Sequence, residues 1–187
     1  TVKGVLYLMD GKTYRAVRKS SKNTVWEAVP VSGTAYVPTT TISAAPTGGG
    51  TSYEAVNLLT PKRINTFIGD GTATQFKVDA TDLDETAVTA EVNGSAVTVS
   101  AVNRSTGLVT LASAPANGNG LANVSIAFAK TVSGHADKIN KCRFAGLYGG
   151  KNDTRVFLSG NPDEPDCDWQ SGLYDPTYFP DTGYTRM

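Results

Sequence analysis

The stretch AVTAEVNGSAVTVSAV, Ala87 to Val102, decides the fold class. Apolar and polar residues alternate on both sides of Asn93-Gly94, and that dipeptide accepts the positive φ of a two-residue hairpin turn. Asn-Gly between alternating runs is the strongest short-range hairpin signal a sequence offers. Reading outward, the same grammar recurs. TFIGDGTATQFKV (Thr66 to Val78) sets the turn pair Asp70-Gly71 between Phe67 and Phe76, and NRSTG (Asn103 to Gly107) makes the next turn. LVTLA (Leu108 to Ala112) is a strand, APANGNG a loop, and NVSIAFAK (Asn123 to Lys130) a strand with Val124, Ile126 and Phe128 on one face. Turns every 10–14 residues match a small β-sandwich, and no 3.6-residue apolar period competes.

The flanks are also β-rich but differ in character. GVLYLMDGKTYRAV (Gly4 to Val17) reads as a hairpin turning at Asp10-Gly11, and TVWEAV (Thr24 to Val29) as a third strand of a meander. Residues 30–63, with a Gly48-Gly49-Gly50 run, read as an extended connector carrying one or two short strands. No Gly-Lys-Ser/Thr follows the glycines, so they are not a phosphate loop. CRFAGLYGGKNDTRVFLSG (Cys142 to Gly160) reads as two strands around a turn at Gly149 to Asp153, and RVFLSG echoes VLYLMDG of the N-terminal part. The expectation is a mainly β protein without substantial helix. Residues 64–133 form a β-sandwich inserted into a discontinuous second β region, 1–63 plus 134–187.

Composition narrows the function. The chain has 187 residues, 40% of them hydrophobic, and its 17 basic and 17 acidic residues balance. A nucleic-acid partner would call for a basic excess. No apolar run approaches 18 residues, so neither a membrane-spanning helix nor a membrane partner is expected, and no signal peptide is read. The chain opens on Thr1 and reads as a piece of a longer protein. The charge is unevenly spread: residues 1–63 hold eight basic and three acidic residues, and residues 153–187 hold two and seven. Either this is chance, or the two segments face each other with opposite fields. Cys142 and Cys167 are too few for a disulfide scaffold, and nothing requires them to pair.

Chemistry-bearing patterns are sparse. His135 is the sole histidine, in the polar stretch SGHADK, without a Gly-x-Ser-x-Gly elbow or a His-Glu-x-x-His motif. Zinc needs more Cys and His than are present. Asp163, Glu164, Asp166 and Asp168 crowd six residues, and Asp163, Asp166 and Asp168 are the candidate calcium ligands. Prolines beside them also mark ordinary turn chemistry. In the same acidic segment, 161–184, Trp169, Tyr174, Tyr178, Phe179 and Tyr184 offer apolar faces next to carboxylates, a platform suited to a glycan or a protein partner. The competing reading is that they pack a strand-poor segment. No catalytic residue and no cofactor is expected.

Two groups of residues carry a resemblance. FIGDGTATQFKV, AVTAEVNGSAVTV, STGLVTLASAPANG and VSIAFAK resemble an immunoglobulin-like sandwich module common in bacteriophage tail and virion proteins. YVPTTTISAAPTGGGTSYEAVNLLTPKRINTF (Tyr36 to Phe67) and RVFLSGNPDEPDCDWQSGLYDPTYFPDTGY (Arg155 to Tyr184) resemble a family of structural proteins from phages and prophages of Gram-positive bacteria. The resemblance implies propeller-blade-like β flanks and a non-enzymatic, tail-associated virion component made in the bacterial cytoplasm. Its expected partners are other virion proteins, including further copies of itself in a ring. The alternative is a module that binds a host receptor or cell-surface glycan.

Overall fold

Turn residues cut the chain into short strands. In the computed structural model, residues 2, 4–20, 24–150 and 153–187 are described. The first three strands, β1 (Leu6–Met9), β2 (Tyr14–Lys19) and β3 (Trp26–Pro30), form an antiparallel meander in that order. The Asp10 side chain fixes the first turn by accepting the N–H groups of Thr13 at 2.7 Å and Lys12 at 2.9 Å. Those bonds favour the ionised carboxyl and hold its pKa below the usual range.

Next come β4 (Thr39–Ala44), β5 (Thr51–Ser52), β6 (Lys62–Phe67), β7 (Gln75–Lys77), β8 (Thr89–Val92), β9 (Ser95–Val97), β10 (Val99–Asn103), β11 (Leu108–Leu111) and β12 (Val124–Ala129). They build a six-stranded sheet, ordered β5-β4-β6-β12-β8-β9, and a three-stranded sheet, ordered β10-β11-β7. A six-residue helix, α1 (His135–Asn140), follows, and then β13 (Phe144–Tyr148), β14 (Arg155–Ser159), β15 (Cys167–Gln170) and β16 (Tyr184–Arg186), a four-stranded antiparallel meander in chain order. The fold is mainly β, none of the sheets closes into a barrel, and among the described residues no helix is long and apolar enough to cross a membrane.

The chain divides into two compact units. Unit 1 is Thr1–Tyr36, Asn57–Thr60 and Val132–Met187; unit 2 is Val37–Val56 and Pro61–Thr131. Residues 37–56, read from sequence as connector, supply β4 and β5 to the six-stranded sheet of unit 2. In unit 2, Phe67, Phe76, Val109, Val124, Ile126 and Phe128 form one buried cluster drawn from both sheets, with the rings of Phe67 and Phe76 edge to face at 5.4 Å. The hairpin at Asn93-Gly94 joins β8 to β9, with φ of 50° at Asn93 and 75° at Gly94.

Unit 1 is assembled from three separate chain segments around Tyr14, Val31, Leu58, Ile139, Leu158, Cys167, Trp169 and Phe179. Asn57 joins all three. Its amide donates to the carbonyls of Tyr36 and Thr177, both at 2.8 Å. Its carbonyl oxygen accepts the N–H of Leu59 at 3.1 Å and of Phe179 at 3.0 Å. Strands β13 and β14 pair antiparallel; the turn expected between them at Gly149 to Asp153 includes Lys151 and Asn152, which lie outside the described residues.

Candidate functional site

Two features of unit 1 were candidates for function: the acidic, aromatic segment and the open edges of its sheets. The segment is not strand-poor. It supplies β15 and β16, and period-two alternation in β15 turns Cys167 and Trp169 inward and Asp168 and Gln170 outward. Trp169 is 1% exposed; its ring lies 5.1 Å from that of Tyr184 and 5.0 Å from the Lys138 ammonium. Phe179 is fully buried, edge-on to Tyr14 at 5.8 Å. Neither Trp169 nor Phe179 can contact a glycan or a partner, which corrects the sequence expectation. Tyr178 is half-buried against the Tyr36 ring at 5.1 Å. Tyr174 and Tyr184 alone of the five present substantial surface.

The carboxylates of this segment meet local cations. Asp163 pairs with Lys141 at 2.7 Å, Glu164 with Lys138 at 3.5 Å and Arg186 at 3.3 Å, and Asp166 with Arg186 at 3.5 Å. The bonds from Lys141 to Asp163, and then to Asp137, push the lysine pKa up. Among the described residues no three His, Cys, Asp or Glu side chains gather as a metal site, so Asp163, Asp166 and Asp168 do not converge on a cation. Within unit 1, the ion pairs of the acids of 153–187 are made to Lys138, Lys141, Arg155 and Arg186, and none is made to Lys12, Arg15, Arg18 or Lys19.

The residues that carry the family resemblance have architectural work. Asn161 donates to the carbonyls of Asp137 and Lys138 at 3.1 and 3.0 Å, meeting carbonyls of α1, and accepts the N–H of Asp163 at 2.9 Å. The Ser171 hydroxyl accepts the N–H of Val156 at 3.0 Å and donates to the Gly172 carbonyl at 2.9 Å. Asp175 accepts the Thr177 N–H at 2.9 Å and hydroxyl at 2.6 Å. Cys142 and Cys167 are buried free thiols in the unit 1 core, and burial pushes the Cys142 pKa up to about 12.

The open edges behave differently. Strand β13, FAGLY, is the outer strand of its sheet, and all five of its residues are exposed. Tyr148 is 77%, Phe144 66% and Leu147 59% exposed. Register sets Ala145 opposite Leu158 and Leu147 opposite Val156, so these two side chains continue the core-facing side of the sheet into solvent. Phe144 and Tyr148 lie on the other side, where Tyr148 meets the Phe157 ring edge-on at 6.2 Å. A groove of about 180 Å³ runs beside the strand, lined by Val2, Leu6 and Tyr7 together with Ala145, Leu147 and Val156. It lies between two outer strands, β1 and β13. Sequence reading missed it because FAGLY looks like any buried strand; what would have exposed it is the position of β13 at the sheet edge, which sequence does not print. Comparison with protein-family models, with curated proteins and with solved structures finds no match to this chain.

Proposed function

We propose that the protein is a non-enzymatic structural component of a phage or prophage particle, tail-associated, that works by subunit assembly. One observation carries the assembly reading: β1 and β13 are unguarded sheet edges flanking an apolar groove. Natural sheets blunt their edges with charge, proline, bulges or extreme shortness. Three other edges of this chain follow that rule. Strand β3 ends in Pro30 and pairs its Glu27 with Arg18, β16 carries Arg186, and β5 is two residues long. Strands β1, LYLM, and β13, FAGLY, carry no charge and no proline. Such an edge suits strand addition by a neighbouring particle subunit, with main-chain bonds giving affinity and alternate side chains giving specificity. Asn161, Ser171 and Asp175, in the stretch that carries the phage resemblance, hold the fold, which suits a structural role.

The test is composition of the particle. Mass spectrometry of purified virions should find the protein. The charged edge substitution Leu147→Lys should leave the purified protein folded and deplete it from particles. A particle preparation that lacks the protein would overturn the proposal.

A further inference from the structure

A cleft of about 400 Å³ in unit 2 is lined by β4, the Thr47-Gly48-Gly49 turn, β6 and the chain leaving β7. Its floor is a locked polar network. Asn65 is fully buried; its amide donates to Asp79 Oδ2 at 2.9 Å and to the Thr40 hydroxyl at 2.9 Å, and its carbonyl oxygen accepts the Asp79 N–H at 2.8 Å. The hydroxyls of Thr40 and Thr41 also donate to Asp79 Oδ2, at 2.6 and 2.7 Å. One carboxylate oxygen is therefore saturated by three donors. The other, Oδ1, takes no hydrogen bond among the described residues, and Asp79 is exposed at the cleft.

Lys77 stands two residues before Asp79 and also lines the cleft. Its stem lies over Gly48, where an added Cβ would sit 3.2 Å from Lys77 Cγ. Among the described residues Lys77 and Asp79 form no ion pair with each other or with any other group. The cleft is thus lined by one fixed acceptor, Asp79, and one donor, Lys77, of opposite charge and not paired with each other.

We infer that this cleft binds a neutral polyhydroxylated ligand, a saccharide unit. An anion would gain from Lys77 and lose to Asp79, and a cation the reverse. A sugar hydroxyl can donate to Asp79 Oδ1 while its neighbour accepts from Lys77, at no net charge cost. The fixed carboxylate loses little freedom on binding. The volume lies at the lower end of small-molecule sites, which suits one or two rings. The inference does not depend on the assembly reading, and each fails on its own evidence.

The experiment uses the full chain and ligand-observed saturation-transfer NMR with the methyl glycosides of glucose, galactose and N-acetylglucosamine, titrated to 20 mM. Glycerol phosphate and choline are the charged competitors. At least one glycoside should bind. Lys77→Met, which keeps the stem, and Asp79→Asn, which turns the free acceptor into a donor, should each weaken binding at least tenfold, with far-UV circular dichroism unchanged. Tyr174→Ala, in the aromatic segment of unit 1, should leave it unaltered. Absence of binding by all three glycosides, binding that survives Lys77→Met, loss of binding in Tyr174→Ala, or tighter binding of either charged competitor overturns the inference.

Discussion

Asn57→Ala removes the side chain that joins the three segments of unit 1. Asn57 is 1% exposed and makes four hydrogen bonds, to Tyr36, Leu59, Thr177 and Phe179. Alanine leaves two carbonyls and two N–H groups without this partner. A buried group deprived of its bond costs ~1–3 kcal/mol. One of the four retains a second bond, since the Thr177 carbonyl still accepts the Tyr36 N–H, and only one lone pair is lost at each oxygen. At the low end of that range for each group, the loss is ~4 kcal/mol, a large part of the 5–15 kcal/mol typical of a domain. Both tryptophans of the chain, Trp26 and Trp169, belong to unit 1, so their emission during urea unfolding reports on that unit alone. With a urea slope of about 2 kcal/mol per molar, the midpoint should fall by ~2 M. Asn57→Asp keeps both acceptor bonds, loses both donors and sets a charge against two carbonyls. It should be at least as harmful at pH 7 and partly recover near pH 4, where the carboxyl protonates. A midpoint within 0.3 M of wild type for Asn57→Ala, at about the same slope, or a harmless Asn57→Asp at pH 7, would refute the reasoning.

Three further comparisons follow from burial and backbone geometry. Trp169→Ala should cost ~3–5 kcal/mol in unit 1, whereas Trp169→Phe should cost clearly less, because the buried indole N–H has no partner to lose; far-UV circular dichroism during urea unfolding ranks the two. Gly107→Ala should destabilise unit 2 far more than Gly94→Ala. Both glycines have positive φ, but the new Cβ at 107 would lie 2.0 Å from the Ala80 carbonyl oxygen and the one at 94 meets nothing within 4 Å. The Gly94 change should stay near the ~1–2 kcal/mol of a left-handed residue, read by thermal melting. Burial raises the Cys142 pKa to about 12, so the unfolded thiol, near its ordinary value of ~8.5, ionises first as pH rises. Unit 1 stability should therefore hold below pH 8.5 and fall above it, by at most ~1.4 kcal/mol per pH unit for this thiol. Cys142→Ala should flatten that slope, and an identical decline in the variant would refute it.

Local chemistry made much of the fold legible. Asn93-Gly94, Asp70-Gly71 and Asp10-Gly11 need only their own side chains and backbone to turn, so their hairpins could be read from a few residues. Non-local pairing was not legible. Strand β4 runs parallel to β6 with shifts in register, and that pairing rests on Asn65, Asp79 and two threonines far apart in sequence. Helix α1 has six residues, too few to show an apolar period. The inward Trp169 was readable in principle, since Cys-Asp-Trp-Gln alternates with period two. Neighbouring prolines and carboxylates drew attention to the loops and hid a strand in plain alternation. At Trp169 and Phe179 ring type was visible, whereas the side each ring faced depended on partners such as Lys138 and Tyr14.

The polar residues of unit 1 give its most distinctive motif a structural task. Burial of Trp169, Phe179 and Leu58 drives the three segments together, but hydrophobic attraction is non-directional and leaves their relative alignment open. Directional bonds have to set it. Asn57, Asn161 and Asp175 share one device: each accepts the N–H two residues further on, at 3.1, 2.9 and 2.9 Å, which makes a tight side-chain turn. Each asparagine then donates its amide to two carbonyls, Asn57 to Tyr36 and Thr177 in the other two segments and Asn161 to Asp137 and Lys138 of α1, which an aspartate, having no donor, or a hydroxyl, having one, cannot do. Proline follows directly at 162 and 176 and stiffens the turn. A chain that leaves unit 1 at Tyr36 and again at Thr60, and returns at Asn57 and Val132, needs such fixed points at each return. The Asn, Asp and Pro of SGNP and DPTYFPD thereby serve the alignment of the chain within unit 1.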